Sequence, residues 1–74
     1  NPVTKIVFSL PQTSGVSLKV FDAAGKEVSE LLSRELKAGQ YEYEWNAANM
    51  PSGVYFYMLR AGEFTQTKKM ILVK

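Results

Sequence analysis

The sequence predicts an all-β sandwich, and three features of its 74 residues support this fold class. Apolar residues recur at every second position through most of the chain, which is the period of a strand with one buried face. Clusters of glycine, proline, asparagine and serine interrupt the pattern at short intervals, as turns between strands do. No convincing window places apolar residues at the three-to-four spacing of a helix. Antiparallel sheets are therefore favoured over an α/β fold.

Several segments carry the strand pattern, and residues that favour turns separate them. In the first segment Ile6, Phe8 and Leu10 share one face, and Pro11 ends the run because it lacks an N–H donor. Residues 30–36 also have helical propensity, but we expect a strand there. The spacing of the turns predicts about seven short strands in an immunoglobulin-like antiparallel β-sandwich. The clearest segments are residues 4–10, 16–21, 26–32, 40–45, 54–59 and 64–73.

Two segments in the last third of the chain are apolar on both faces. We expect residues 54–59 to form a central strand, and we expect the closing residues 70–73 to lie within a sheet as well. Gly53 precedes the central strand, where a positive φ or a close backbone approach is the usual reason for glycine. The residues expected to be substantially buried are Ile6, Phe8, Leu18, Val20, Trp45 and Tyr57.

Length and charge restrict the class of function. Residues 1–74 form one small domain with a thin core, and a chain without cysteine has no disulfide to stabilise it. The net charge of +2 is too low for a nucleic-acid-binding protein, which needs a dense basic face. The charge is unevenly spread, because residues 1–44 carry five basic and six acidic side chains whereas residues 45–74 carry four and one.

The ends of the chain and its hydropathy suggest a piece of an exported protein. No apolar stretch approaches the roughly 20 residues that a membrane-spanning helix needs, so we expect no membrane insertion by this segment. The chain opens at Asn1 and Pro2 without a methionine, and no signal peptide pattern follows. We expect the domain to have been excised from a longer protein whose targeting signal lies upstream.

Catalytic side chains are scarce. Histidine and cysteine are both absent, which removes the usual general base, the activated thiol and nearly every transition-metal site. The only aspartate, Asp22, lies in a predicted turn. Glu42 and Glu44 share one strand face, as a glycoside hydrolase pair would, but a solvated sheet face explains them better. We therefore expect no catalytic residue, no metal and no cofactor.

The aromatic residues of two strands allow two interpretations. They could form a flat platform on which sugars or bases stack. Alternate positions on each strand place them on one face, however, as in a small sandwich that fills its core with large side chains. We favour the core over the platform. The residues concerned are Tyr41, Tyr43, Trp45, Tyr55 and Tyr57.

The order of several short motifs carries a resemblance that covers the whole chain. Residues 52–57 read Ser-Gly-Val-Tyr-Phe-Tyr, and residues 67–74 read Thr-Lys-Lys-Met-Ile-Leu-Val-Lys. With this ending, the chain resembles the type A C-terminal sorting domain of the type IX secretion system of Bacteroidetes and related Gram-negative bacteria. It is also similar to the immunoglobulin-like domain of flagellar hook-capping proteins. Further matching segments are Asn1-Pro2, residues 6–11, residues 16–22, residues 25–28, and Gly39 ahead of Trp45.

The resemblance implies that the chain is an address recognised as a folded domain by the type IX machinery at the outer membrane. An N-terminal passenger would cross the periplasm and reach the cell surface or the medium, and the tail would be cut off near its N-terminal boundary. The alternative is a structural or carbohydrate-binding appendage of an extracellular enzyme. The recognition residues that the resemblance implies, with the adjoining Lys68, are Gly53, Tyr55, Lys68, Lys69 and Lys74. The lysines could instead only keep an edge strand from pairing with other chains.

Overall fold

A computed structural model describes residues 3–73, and within this range the chain forms six β-strands. Each strand contains most of one predicted segment, but the count of six differs from the expected seven. The strands are eight to ten residues long, so fewer of them fit into the chain. Residues 30–36 continue a strand, as expected, and form no helical turn. The strands are β1 (Val3–Leu10), β2 (Ser14–Asp22), β3 (Glu27–Leu36), β4 (Gly39–Asn46), β5 (Gly53–Ala61) and β6 (Phe64–Leu72).

The six strands form two antiparallel sheets. The larger sheet has the order β3-β2-β5-β6, and the smaller sheet pairs β1 with β4. Apolar side chains of β1 and β4 pack against those of the larger sheet, because Ile6 and Phe8 share a buried cluster with Leu18 and Leu59. The all-β prediction is confirmed, and the two sheets form a sandwich of two and four strands among the described residues.

The core consists of two neighbouring clusters of apolar side chains. The larger one is centred on Ile6, Leu18 and Leu59. The smaller one contains Val20, Trp45, Ala47, Tyr55 and Leu72. Five of the six residues expected to be buried are buried, and Tyr57 is half-buried at the junction of the two clusters. Alternation along each strand therefore identified the inner faces correctly.

The two C-terminal strands differ in their position within the larger sheet. β5 lies between β2 and β6, which confirms the expected central strand. β6 pairs with β5 alone within the described range and therefore forms the edge. Residues 70–72 lie within a sheet as expected, but at its edge, and Val73 follows the end of the strand. Met70 and Leu72 pack on the smaller cluster, whereas Ile71 on the other face is about two-thirds exposed, as is Val73 after the end of the strand. Only one face of the strand end is therefore covered.

Both ends of the described chain lie at one end of the sandwich. The strands run alternately up and down, so β1 begins where β6 finishes. In register, Val3 lies opposite Asn46 and Leu72 lies opposite Gly53. The predicted turn at residues 22–25 is also at this end, and the Asp22 carboxylate accepts hydrogen bonds there from the backbone N–H groups of Ala24 and Lys26. The start of β1 and the end of β6 therefore lie at the same end of the sandwich.

Candidate recognition site

Two of the predicted recognition lysines lie on opposite faces of the edge strand β6. Lys68 is opposite Tyr57 and shares the inner face of the sheet, whereas Lys69 is opposite Phe56 on the outer face. Both lysine side chains are exposed. The ion pairs found within residues 3–73 join other charged side chains, so neither ammonium group has a carboxylate partner there. The edge therefore presents one free positive charge on each side.

The strand that carries these lysines also has an open backbone edge. Among the described residues β6 has a partner on one side only, so every second backbone N–H and C=O group points away from the sheet. Exposed apolar side chains lie near the lysines, because Ile71 is on the outer face of β6 and Val73 follows the end of the strand. Charge, apolar surface and unpaired backbone groups are thus combined on β6, which is the combination that a protein partner can bind.

Gly53 begins the neighbouring strand with a backbone that other residues rarely adopt. Its φ of +155° confirms the expected positive value. A Cβ added there would have no heavy atom within 4 Å, so conformation rather than space requires glycine. Gly53 lies opposite Leu72 in the register of β5 and β6. The residue therefore sets the direction in which the chain enters the strand that holds the C-terminal ending.

Tyr55 lies in the core, on the strand that pairs with β6. Its side chain is only 3% exposed, and its ring meets that of Trp45 edge to face with centroids 5.2 Å apart. The Tyr55 hydroxyl donates a 2.7 Å hydrogen bond to the backbone carbonyl of Pro51. In register, Tyr55 lies opposite Met70 of β6. Because its side chain is buried, Tyr55 presents almost no surface to a partner.

Lys74, the fifth predicted recognition residue, lies outside the described residues. The structure brings the other four together on the paired strands β5 and β6. They fall into two kinds, since Lys68 and Lys69 are exposed on β6 whereas Gly53 and Tyr55 shape the strand beside it. The motif thus combines two exposed lysines with a glycine and a buried tyrosine on the neighbouring strand.

The aromatic residues form a core and not a flat platform. Trp45 and Tyr55 are buried together. Tyr41 and Tyr43 stack on Phe8 with ring centroids 5.5 Å and 6.0 Å away, and both are half-buried against the larger cluster. Their faces are turned towards the protein interior, which agrees with the preferred interpretation.

The two glutamates of β4 lie on the protein surface. Glu42 and Glu44 are both exposed on β4, and Glu42 lies 3.8 Å from the Lys5 ammonium group, as on a solvated face. No group of three or more acidic residues within residues 3–73 is arranged to hold a metal ion. The same stretch contains no helix suited to crossing a bilayer.

One feature of the larger sheet is not among the predicted site residues. Phe21, Phe56 and Met58 project from the face turned away from β1 and β4, and they are only half-buried. Apolar residues on both faces of residues 54–59 indicated a central strand, but the pattern did not distinguish burial between sheets from exposure on an outer face. The sequence signal was therefore present and was ambiguous.

Comparison with known proteins identifies the family. A family model described as the secretion system C-terminal sorting domain matches residues 1–74, which is the whole chain. No curated protein and no solved structure matches the sequence or the fold. The family match over the whole chain agrees with the motifs on β5 and β6 and with the all-β architecture. The chain therefore belongs to the C-terminal sorting domains of the type IX secretion system, which direct the export of the proteins that carry them.

Proposed function

We propose that the secretion machinery recognises this chain as a folded domain, and that the edge strand β6 is the element it binds. The observation that carries the proposal is the combination on β6 of two unpaired lysines, an open backbone edge and the exposed Ile71. The excess of basic residues in the last 30 positions gives further support. In this proposal Lys68, Lys69 and Lys74 contact the receptor, and Gly53 and Tyr55 act by holding β6 in position.

The passenger precedes Asn1 and carries whatever activity the complete protein has. We propose that it crosses the periplasm with the tail attached, and that the tail is removed near its N-terminal boundary. The common end of β1 and β6 supports this arrangement, because a receptor bound to the end of β6 would hold the passenger junction close by. The domain itself acts as a signal and has no catalytic role, and it needs no metal or cofactor.

Charge reversal tests the recognition strand without removing it. The double variant Lys69→Glu with Lys74→Glu should change the free energy of unfolding by no more than about 0.5 kcal/mol, because exposed substitutions rarely do more. Fused to a reporter in a type IX-competent host, it should fail to reach the surface or the medium. A matched control with the same change in net charge is Lys26→Glu with Lys37→Glu, at two exposed turn positions. Normal export of the folded Lys69 and Lys74 variant would refute the proposal.

Recognition of the folded domain, as opposed to a linear peptide, needs a separate experiment. Residues 64–74 alone, fused to the same reporter, should not support export, because outside the sheet they lack the partner strand that holds them extended. The complete chain fused to the reporter is the positive control. Export by the short fusion at the level of the complete chain would show that folding is not required. The mass of the secreted reporter then shows whether the tail has been removed near Asn1.

A further inference from the structure

The face of the larger sheet that points away from β1 and β4 carries an apolar patch. We call Phe21, Phe56, Met58 and Ile71 the outer patch; alternation places them opposite to the buried Val20, Tyr55 and Leu59. No strand within residues 3–73 packs on this face, since the smaller sheet covers the other one. A contiguous apolar surface with charged borders is the usual signature of a protein interaction site.

One row of side chains across this face has opposite charges at its two ends. Glu27 on β3 lies beside Phe21 on β2, Phe21 beside Phe56 on β5, and Phe56 beside Lys69 on β6. The row therefore runs from an acid through two phenylalanines to a base. Next to Glu27 on the acidic border, Glu30 lies beside Lys19 in the following row. The β3 border of the outer face thus carries two acids and the β6 border one base, Lys69, while the cations Lys19 and Arg60 lie on the two strands between them.

This order of charges determines which partner fits. A partner of uniform charge would meet repulsion along one of the two borders. A second copy that is rotated by a half-turn about an axis parallel to the strands, between β2 and β5, avoids repulsion at both borders. The rotation places Lys69 over Glu27 of the second copy and Phe56 over Phe21 of the second copy. We propose that the outer face binds a second copy of this chain as a two-fold dimer of sheets packed face to face.

The ion partners of the row agree with this arrangement. Lys19 is the only cation paired with Glu27 and Glu30 among the described residues, at 3.5 Å and 3.9 Å, and all three groups are partly exposed. Lys69 has no carboxylate partner within that range. In the dimer, Glu27 of the second copy becomes the carboxylate partner of Lys69, while Lys19 keeps its ion pair with Glu30. The rotation also keeps the strand direction, so the N-termini of both copies emerge at the same end.

The size of the face indicates a reversible dimer. Four strands spaced about 4.8 Å apart, each nine residues long at about 3.3 Å per residue, present roughly 570 Å². This is below the ~800 Å² per partner that a standard stable interface buries. The dimer should therefore form at high local concentration. Lys69 also belongs to the proposed recognition strand, so, if that proposal holds, the dimer and the secretion receptor compete for the same side chain.

Sedimentation velocity of the purified 74-residue chain tests the dimer without any secretion machinery, so its outcome is independent of the proposed function. The chain should pass from monomer to dimer between about 10 μM and about 1 mM, the range expected of a small interface. Lys69→Glu and Glu27→Lys should each weaken the dimer at least tenfold, and the double reversal should restore it. A matched control, Glu42→Lys on the smaller sheet, should leave the dimer unchanged.

The double reversal is decisive because the two residues are far apart within one chain. Three strand spacings separate them by about 14 Å, too far for a direct ion pair, so recovery would have to arise between copies. Phe21→Ser, in the middle of the sheet, should abolish a face dimer but not an edge-to-edge pairing of β6. A chain that stays monomeric throughout, a double reversal that recovers nothing, or a dimer that persists in folded Phe21→Ser would each overturn the proposal.

Discussion

Tyr55 donates its hydroxyl proton to the backbone carbonyl of Pro51, four residues earlier, at 2.7 Å. Tyr41 makes the same bond to the carbonyl of Lys37 at 2.5 Å. In both cases the tyrosine follows, two residues later, a glycine with φ near +150°, which is Gly53 in one segment and Gly39 in the other. The sequence around both sites has the form x-small-Gly-x-Tyr. β4 and β5 therefore begin with the same local structure.

The first prediction concerns the hydroxyl of Tyr55. Tyr55→Phe keeps the ring against Trp45 and removes only the bond to Pro51, so it should lower the free energy of unfolding by about 0.5–1.5 kcal/mol. A urea midpoint measured at constant slope would show the loss. Tyr41→Phe is the matched control, because its bond has the same geometry but is solvent-exposed; its loss should be smaller. Equal losses in both variants would contradict this ranking.

The second prediction concerns Trp45, the single tryptophan of the chain. Its side chain is 4% exposed and lies against Tyr55 in the smaller cluster. Trp45→Ala should cost about 3–5 kcal/mol, which approaches the whole stability of so small a domain. Circular dichroism during chemical denaturation is the suitable measurement, since the variant lacks the fluorophore. Trp45→Phe, the conservative control, should lose less, and an unchanged midpoint in Trp45→Ala would place the indole at the surface.

The third prediction separates backbone conformation from recognition at Gly53. Gly53→Val forces a β-branched residue to a φ of +155° and should cost roughly 1–3 kcal/mol. Gly15 is a matched control, because it lies in β2 without a positive φ and with open space around its Cα. Gly15→Val should be tolerated. If Gly53→Val keeps its melting temperature and still abolishes export, the receptor contacts Gly53 directly and the structural explanation fails.

The fourth prediction asks which face of β6 the receptor contacts. Lys68 and Lys69 are adjacent and exposed, yet they lie on opposite faces of the strand, so single charge reversals distinguish the two. We expect Lys69→Glu to reduce export more than Lys68→Glu, because exposed Ile71 lies two residues from Lys69 on the outer face, whereas exposed Phe64 lies four residues from Lys68 on the inner face. Both variants should keep the parental melting temperature within about two or three degrees, as surface substitutions usually do. A larger export defect in Lys68→Glu would assign recognition to the inner face.

The alternating pattern predicted the buried residues correctly in strands with one apolar face. In strands with two apolar faces it did not determine the position of the strand in the sheet. β1 and β2 alternate strictly, and their buried residues were predicted correctly. β5 and the end of β6 are apolar on both faces, yet β5 is central and β6 forms the edge. A period of two identifies the faces of a strand, but it contains no information on how many neighbours the strand has.

The amino-acid sequence by itself determined the all-β class, the positions of the strands, the inner faces and the need for glycine at position 53, because these depend on local periodicity and backbone conformation. It also carried the motifs that identify the family. Only the tertiary structure decided that Lys68 and Lys69 lie on an edge strand, that Tyr55 is buried against Trp45, and that Glu27, Phe21, Phe56 and Lys69 form one row. These relations join residues up to 48 positions apart, and strand order and register, which arise from the packing of the whole chain, bring them together.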